Sequence, residues 1–244
     1  MTLLQMVNRV LRRLREDQVT DLTTDAYSKL VAEFVADAHR EVVQAHDWSV
    51  MDKGVVITVV PGRSSYSLSV GSTDLYSGWT GVSDKAQLRY YQDAPIAYVF
   101  DEYAKIGNGD PLNELNQTTG QGTEVAALTR VSTTGRPDTF SLIPTSTGTK
   151  FVLDVPSDGT YYVYLRLHDP ELEIDVDTDS ARDLLAPSAP ILAGALYFAL
   201  NERGEEMGEP GNVAERRYIN AIGTAIETDI IRATRTNTHE MYRD

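Results

Sequence analysis

The spacing of apolar residues changes twice along this 244-residue chain, and that double change constrains the fold more than any motif. At the start, Leu3, Val7, Val10 and Leu14, with Leu4 and Leu11 flanking, fall on one helical face, and Arg9, Arg12, Arg13 and Arg15 fall opposite. A polar run, Glu16–Thr24, reads as a linker. Thr24 or Asp25 then stands where an oxygen side chain can accept from the orphan amides of a first turn. In the helix that follows, Tyr27, Leu30, Val31, Phe34, Ala38, Val42 and Ala45 form a second stripe.

Near Met51 the period drops to two. Val55–Val60 is a β-branched run, Pro61-Gly62-Arg63-Ser64 is turn chemistry, and Ser65–Val70 alternates. Further strands are predicted over Gln87–Tyr91, Ala97–Tyr103, Leu128–Val131, Thr139–Ile143, Lys150–Val155 and Tyr161–Leu167, with Asp158-Gly159 as a hairpin turn between the last two. Helical spacing returns near residue 186. Pro190 fits the first turn of a helix carrying Ile191, Leu192, Ala195 and Phe198, and Gly204, Gly208 and Pro210-Gly211 read as its end. Asn212 is the expected cap of a last helix whose stripe is Ile219, Ile222, Ile226, Ile230 and Ala233. The predicted class is α+β. Residues 1–50 and 181–233 build a four-helix bundle from both chain ends. An antiparallel β-sandwich or barrel, 51–180, is inserted between them, and an extended C-terminal tail, 234–244, follows.

Composition narrows the functional classes. With 22 Lys+Arg against 36 Asp+Glu, the net charge of −14 repels nucleic acid, and no basic cluster dominates. The absence of cysteine excludes disulfide staples, thiolate zinc sites and cysteine nucleophiles. Leu184–Asn201 is uncharged, but Pro187 and Pro190 leave about a dozen apolar helical residues, too few to span a bilayer. No membrane partner is expected.

Catalytic and cofactor motifs are missing: no phosphate-loop Gly-Lys-Ser/Thr, no Gly-x-Ser-x-Gly and no His-Glu-x-x-His occurs. His39 and His46 stand seven residues apart on one helix, about 10 Å along its axis, too far to share a metal. Asp175-x-Asp177-x-Asp179 copies the opening of a calcium loop, but Ser180 replaces its glycine and Ala186 its closing Glu. No catalytic, cofactor or metal residue is therefore assigned. Two alternatives remain. One is a glycan-cleaving enzyme using a carboxylate pair from the acidic run Asp169–Asp179. The other is a carbohydrate- or receptor-binding module with Tyr76, Trp79, Tyr90 and Tyr91 as a stacking platform, against which stands ordinary strand packing.

Several stretches together resemble the head-to-tail adaptor proteins of tailed bacteriophages, the group that includes tail tubular protein A of short-tailed phages. They are Leu4-Gln5-Met6-Val7-Asn8-Arg9-Val10-Leu11-Arg12-Arg13-Leu14, Phe34–Val42 running into Asp47-Trp48, Gly135-Arg136-Pro137-Asp138-Thr139-Phe140, Pro156-Ser157-Asp158-Gly159-Thr160-Tyr161, Pro190–Leu196 and Ala214-Glu215-Arg216-Arg217-Tyr218. The resemblance implies a structural protein at the virion head–tail junction. It implies a homo-oligomeric ring, commonly of twelve copies, between the portal protein and a tail nozzle or other tail protein, through which double-stranded DNA passes without specific binding. An acidic chain is compatible with DNA that slides without adhering. The candidate portal or neighbour contacts are Arg9, Arg12, Arg13 and Arg15 on the first helix and Arg235, His239, Met241, Tyr242 and Arg243 in the tail.

Overall fold

The computed structural model describes residues 1–23, 25–83, 86–88, 90–91, 94–95, 97–100, 113–117, 134–145, 148–170, 173–204 and 209–240. The class is α+β. The chain divides into two compact units: Met1–Met51 with Glu171–Asp244, and Asp52–Pro170. The sequence reading ended the β block at residue 180, whereas contacts put the change at 170/171. The reason lies in the first unit, where Leu3 and Leu4 donate backbone N–H bonds to the carbonyls of Arg182 and Ser180.

Among the described residues the first unit holds four α-helices: α1 (Leu3–Arg13), α2 (Ala26–Ala45), α3 (Ser188–Glu202) and α4 (Glu209–Glu240). A capping box opens α1, because the Thr2 hydroxyl accepts from the Gln5 amide while the Gln5 side chain accepts from the Thr2 amide. Asp25 caps α2 by accepting from Ser28 N–H at 3.0 Å. Helix α3 starts at Ser188, which leaves Pro190 in the first turn, where no amide is needed. It ends on Arg203, followed by Gly204 at φ +75°, the left-handed conformation that favours glycine after a helix. In this unit α3 is central, packing on α1, α2 and α4. Its Gly194 permits the closest approach, since a Cβ there would lie 2.8 Å from the Tyr218 ring and 3.0 Å from Ala38 Cβ.

Helix α4 departs from the sequence reading in three ways. It begins at Glu209, not after Asn212, so Pro210 and Gly211 lie inside its first turn, a position proline tolerates. It continues through residues 234–240, which were expected to be an extended tail. No proline or glycine follows Gly223, and each added residue extends a helix already nucleated. Its core face is also rotated from the expected stripe. Ala214, Tyr218 and Asp229 are the buried positions, Ile222 and Ile226 are half-buried, and Ile219 and Ile230 remain 60% and 52% exposed.

The second unit is built from β1 (Asp52–Val59), β2 (Ser65–Ser67), β3 (Gln87–Leu88), β4 (Tyr90–Tyr91), β5 (Ala94–Pro95), β6 (Ala97–Phe100), β7 (Asn113–Glu114), β8 (Asn116–Gln117), β9 (Thr139–Thr145), β10 (Gly148–Leu153) and β11 (Tyr161–His168). One sheet runs β1-β11-β6-β7 with β3 beside β11, another runs β2-β10-β9-β8, and β4 pairs β5. Neither larger sheet closes among the described residues, so the barrel alternative is corrected. Pairings are antiparallel except β8 with β9. Both larger sheets feed one core, in which Val55, Ile57, Val163 and Leu165 meet Tyr66, Phe140 and Phe151.

The expected Asp158-Gly159 hairpin is absent: β10 and β11 belong to different sheets, and their connection crosses between them. The turn from β1 to β2 crosses at the same corner, where Gly62 N–H donates to Ser157 C=O at 2.8 Å. Gly62 has φ +78°, but Gly159 is not in the left-handed region that a two-residue hairpin of this kind requires. The strand predicted at Leu128–Val131 lies outside the described residues.

Candidate functional site

The arginines of α1 stand where the sequence put them. Arg9, Arg12, Arg13 and Arg15 are all exposed, and among the described residues none is in an ion pair; Arg12 reaches Gln18 Oε1 at 3.4 Å. Arg15 has an additional feature. It sits just beyond α1 at φ +62°, alone among the described non-glycine residues in having a positive φ. Its N–H donates to Arg12 C=O and the Glu16 N–H to Leu11 C=O, which is the paired geometry of a Schellman ending. Glycine is the residue that ends a helix this way without strain, so an exposed arginine here is held at a conformational cost.

A second surface is formed where α2 ends. Trp48 is fully buried and its Nε1–H donates to Val42 C=O at 2.7 Å. A short 3-10 turn, Ser49–Met51, follows, and Asp229 of α4 caps it. The Asp229 carboxylate accepts from Ser49 N–H at 2.9 Å and from Ser49 Oγ–H at 2.6 Å, and lies 3.2 Å from His46 Nε2. This knot fixes α4 to the end of α2. Beside it opens a groove of about 580 Å³, with Trp48, Val50, Pro187 and Pro190 on one side and Ala221 and Ala225 of α4 on the other. Arg217 and Arg232 line it as well. Sequence reasoning missed this groove. Asp47-Trp48 was visible only as the end of a helix, and nothing in the spacing joined it to a segment about 180 residues later.

Four aspartates of the acidic run are held by nearby backbone amides, hydroxyls and basic side chains. Asp175 accepts from Asp177 N–H and the Thr178 hydroxyl, Asp179 accepts from Asp175 N–H and Arg182, and Asp177 pairs with Lys29. The Asp175 amide holds the Asp179 carboxyl below the usual range against the opposing effect of its partial burial, and Arg182 adds to it. Asp169, in the β unit, is taken by Lys53 and by Ser83 through both N–H and hydroxyl. Among the described residues no group of three or more His, Cys, Asp or Glu side chains is arranged to hold a metal ion.

Two of the four platform aromatics pack on a neighbouring strand. Tyr76 and Trp79 meet Tyr162 and Tyr164 of β11 edge-on, at centroid distances of 5.6 and 6.3 Å. Tyr90 and Tyr91 are strand residues of β4. Of the expected tail contacts, Arg235 and His239 fall on the last turns of α4, and Met241, Tyr242 and Arg243 lie outside the described residues. Among the described residues, no helix is long and apolar enough to cross a membrane.

The described surface thus offers exposed arginines, an apolar groove and exposed isoleucines on helices, which is equipment for meeting other proteins. Comparison with known proteins agrees. No curated protein matches the chain. Residues 1–241, however, match a family described as SU10 adaptor protein. The match takes in both helical segments and the β unit between them, and it accords with the head-to-tail adaptor resemblance of the sequence: the chain belongs to the SU10 adaptor protein family.

Proposed function

We propose that this protein is a structural head-to-tail adaptor that forms a ring, of twelve copies, between the portal and a tail nozzle or other tail protein of a phage virion. The ring lines the channel through which double-stranded DNA leaves, and the acidic surface keeps the DNA from adhering. The observation that carries this reading is the family match over residues 1–241. The four helices act together as the bundle that carries the ring contacts, and the β unit is the insertion.

The exposed arginines of α1 meet carboxylates of a neighbour or of the portal. Arg15 is the best supported of them, because its strained backbone would favour glycine if its side chain had no role. The end of α4, with Arg235 and His239, and the segment bearing Met241, Tyr242 and Arg243 dock on the portal. Docking therefore begins from a helix end and not from an extended tail.

The native mass of the particle, measured alone and with a portal protein, tests the reading. A multimer that takes up portal is expected, and a chain that stays monomeric with portal present overturns it. Charge reversal at Arg9 and Arg13 should weaken that association, more so at low salt, with circular dichroism unchanged. Truncation after Ala233 should abolish portal binding and leave the fold intact.

A further inference from the structure

Helix α4 presents two surfaces on opposite faces. The first is an apolar ridge. Counting about 100° per residue, Ile219 and Ile230 lie about 20° apart around the helix, with Gly223 and Ile226 between them, over about 16 Å of axis. Ile219 and Ile230 are exposed, Ile226 is half-buried, and Gly223 leaves open space, with nothing within 4 Å of where its Cβ would be. The second surface is the groove beside the Asp229 knot, which the same helix walls with Ala221, Thr224 and Thr228. Thr228 is about 180° and Ala221 about 160° round from Ile219, so the core contact through Tyr218 lies between ridge and groove.

We propose that the ridge of one copy seats in the groove of a second copy of this chain, so that neighbours in the assembly join head-to-tail through α4. This rests on the ring reading above and gives it a contact. Chemistry favours a second copy. The ridge is flanked by Glu215 and Glu227 with Arg216 between them, whereas the groove carries Arg217 and Arg232 around apolar walls. The one carboxylate in the groove lining, Asp229, is held by Ser49 and His46. Apolar centre and opposite charge therefore match across the two surfaces, in a chain whose net charge of −14 otherwise repels its own copies. Geometry favours a head-to-tail contact over a two-fold one. Two different patches on opposite faces leave each copy one donor and one acceptor surface, and such contacts propagate until rotation closes them. An apolar stripe of this spacing can also pair with its like in a coiled coil, and the test separates the two arrangements.

The chain has no cysteine, so single cysteines report cleanly. Ile219→Cys marks the ridge and Val50→Cys the groove, both at exposed positions. Treated with a short bis-maleimide, an equal mixture of the two full-length variants should give a covalent dimer that neither gives alone, and the double variant should give a ladder. A covalent dimer from Ile219→Cys alone shows ridge on ridge and overturns the proposal. So does a multimer, by native mass, that yields no ridge–groove product. A monomeric mass with and without portal overturns the ring reading itself. Ile219→Asp should weaken self-association at least tenfold while leaving thermal unfolding of the chain unchanged; full association by this variant also overturns the ridge.

Discussion

The helical unit and the β unit close their cores differently. In the β unit, β11 alternates inward and outward, so that Val163, Leu165 and Leu167 are buried and their neighbours half-exposed. In the helical unit, α4 turns a face to the core that is narrower than its apolar stripe. Six of the eight exposed large hydrophobics among the described residues belong to this unit: Val50, Leu185, Val213, Ile219, Ile230 and Ile231. Ile219, Ile230 and Ile231 of these lie on the single helix α4, where the proposed contact between copies is placed. Among the described residues of the β unit, Val60 and Val70 are the large hydrophobics left exposed.

If each unit holds its own core, the largest effects come from its fully buried aromatic residues. Trp48→Ala should cost about 3–5 kcal/mol in the helical unit, and Phe151→Ala a similar amount in the β unit. Hydrogen exchange followed by peptide mapping should show protection lost from residues 1–51 and 173–240 in the first variant and from 52–170 in the second. Equal loss throughout the chain in both variants would break the contrast between the two cores.

Close backbone approach sharpens the comparison at smaller cost. In the helical unit a methyl group added at Gly194 would press on Tyr218 and Ala38, both buried. In the β unit a Cβ on Gly54 would lie 2.9 Å from the Tyr164 ring and 3.1 Å from Trp79, two rings that are only partly buried. Gly194→Ala should therefore cost about 1–3 kcal/mol by overpacking, reduced by about 1 kcal/mol of helix propensity. Gly54→Ala should cost less, because exposed ring edges can move. Urea denaturation ranks the two, and the reverse order would show that the helical interface is the more yielding.

The same difference decides what could be read from the sequence. Helices α1, α2 and α3 were visible from their apolar stripes, with Asp25 as one of the two expected caps before Tyr27, Leu30 and Val31 of α2, and Gly204 after Phe198 as the expected end of α3. Strand runs such as Tyr161–Leu167 were equally plain from their alternation. Sheet membership was not. Asp158-Gly159 carries hairpin chemistry, but whether the strands beside it pair depends on partners far away, β1 and β2. The groove was hidden for the same reason, since His46, Ser49 and Asp229 meet only after folding. On α4 periodicity found the apolar stripe but could not say whether the core or another molecule covers it.

Buried phenols give each unit a pH limit of its own. Burial raises the Tyr218 pKa well above its usual value, and its hydrogen bond to Glu41 Oε2, at 2.6 Å, adds to the rise. Burial also raises that of Tyr66, whose hydroxyl donates to the Arg63 carbonyl at 2.9 Å and accepts from Val60 N–H at 3.1 Å. A folded-state pKa above the unfolded value of about 10 means stability that is complete below pH 10 and lost as pH rises toward the folded value. Tyr218→Phe should cost about 1 kcal/mol at neutral pH and flatten the alkaline loss in the helical unit, and Tyr66→Phe should do so in the β unit. Unfolding measured from pH 8 to 11 checks both; an alkaline limb unchanged by either substitution would assign the loss to other groups.

The smallest effect is expected to be a gain. Arg15 ends α1 in the left-handed region, where an L side chain costs about 1–2 kcal/mol and glycine costs nothing comparable. Arg15→Gly keeps both hydrogen bonds of the helix ending, since each is made by backbone. Part of the relief is offset by the greater freedom of glycine in the unfolded chain, so a net gain of about 0.5–1 kcal/mol is expected. The β unit offers a control, because Gly62 and Gly71 already occupy their positive-φ turns, and alanine there should destabilise. If Arg15→Gly raises the melting temperature and also weakens association with portal or neighbours, the strain is retained for the side chain. A gain in stability with association unchanged would make Arg15 an ordinary helix ending and remove it from the interface.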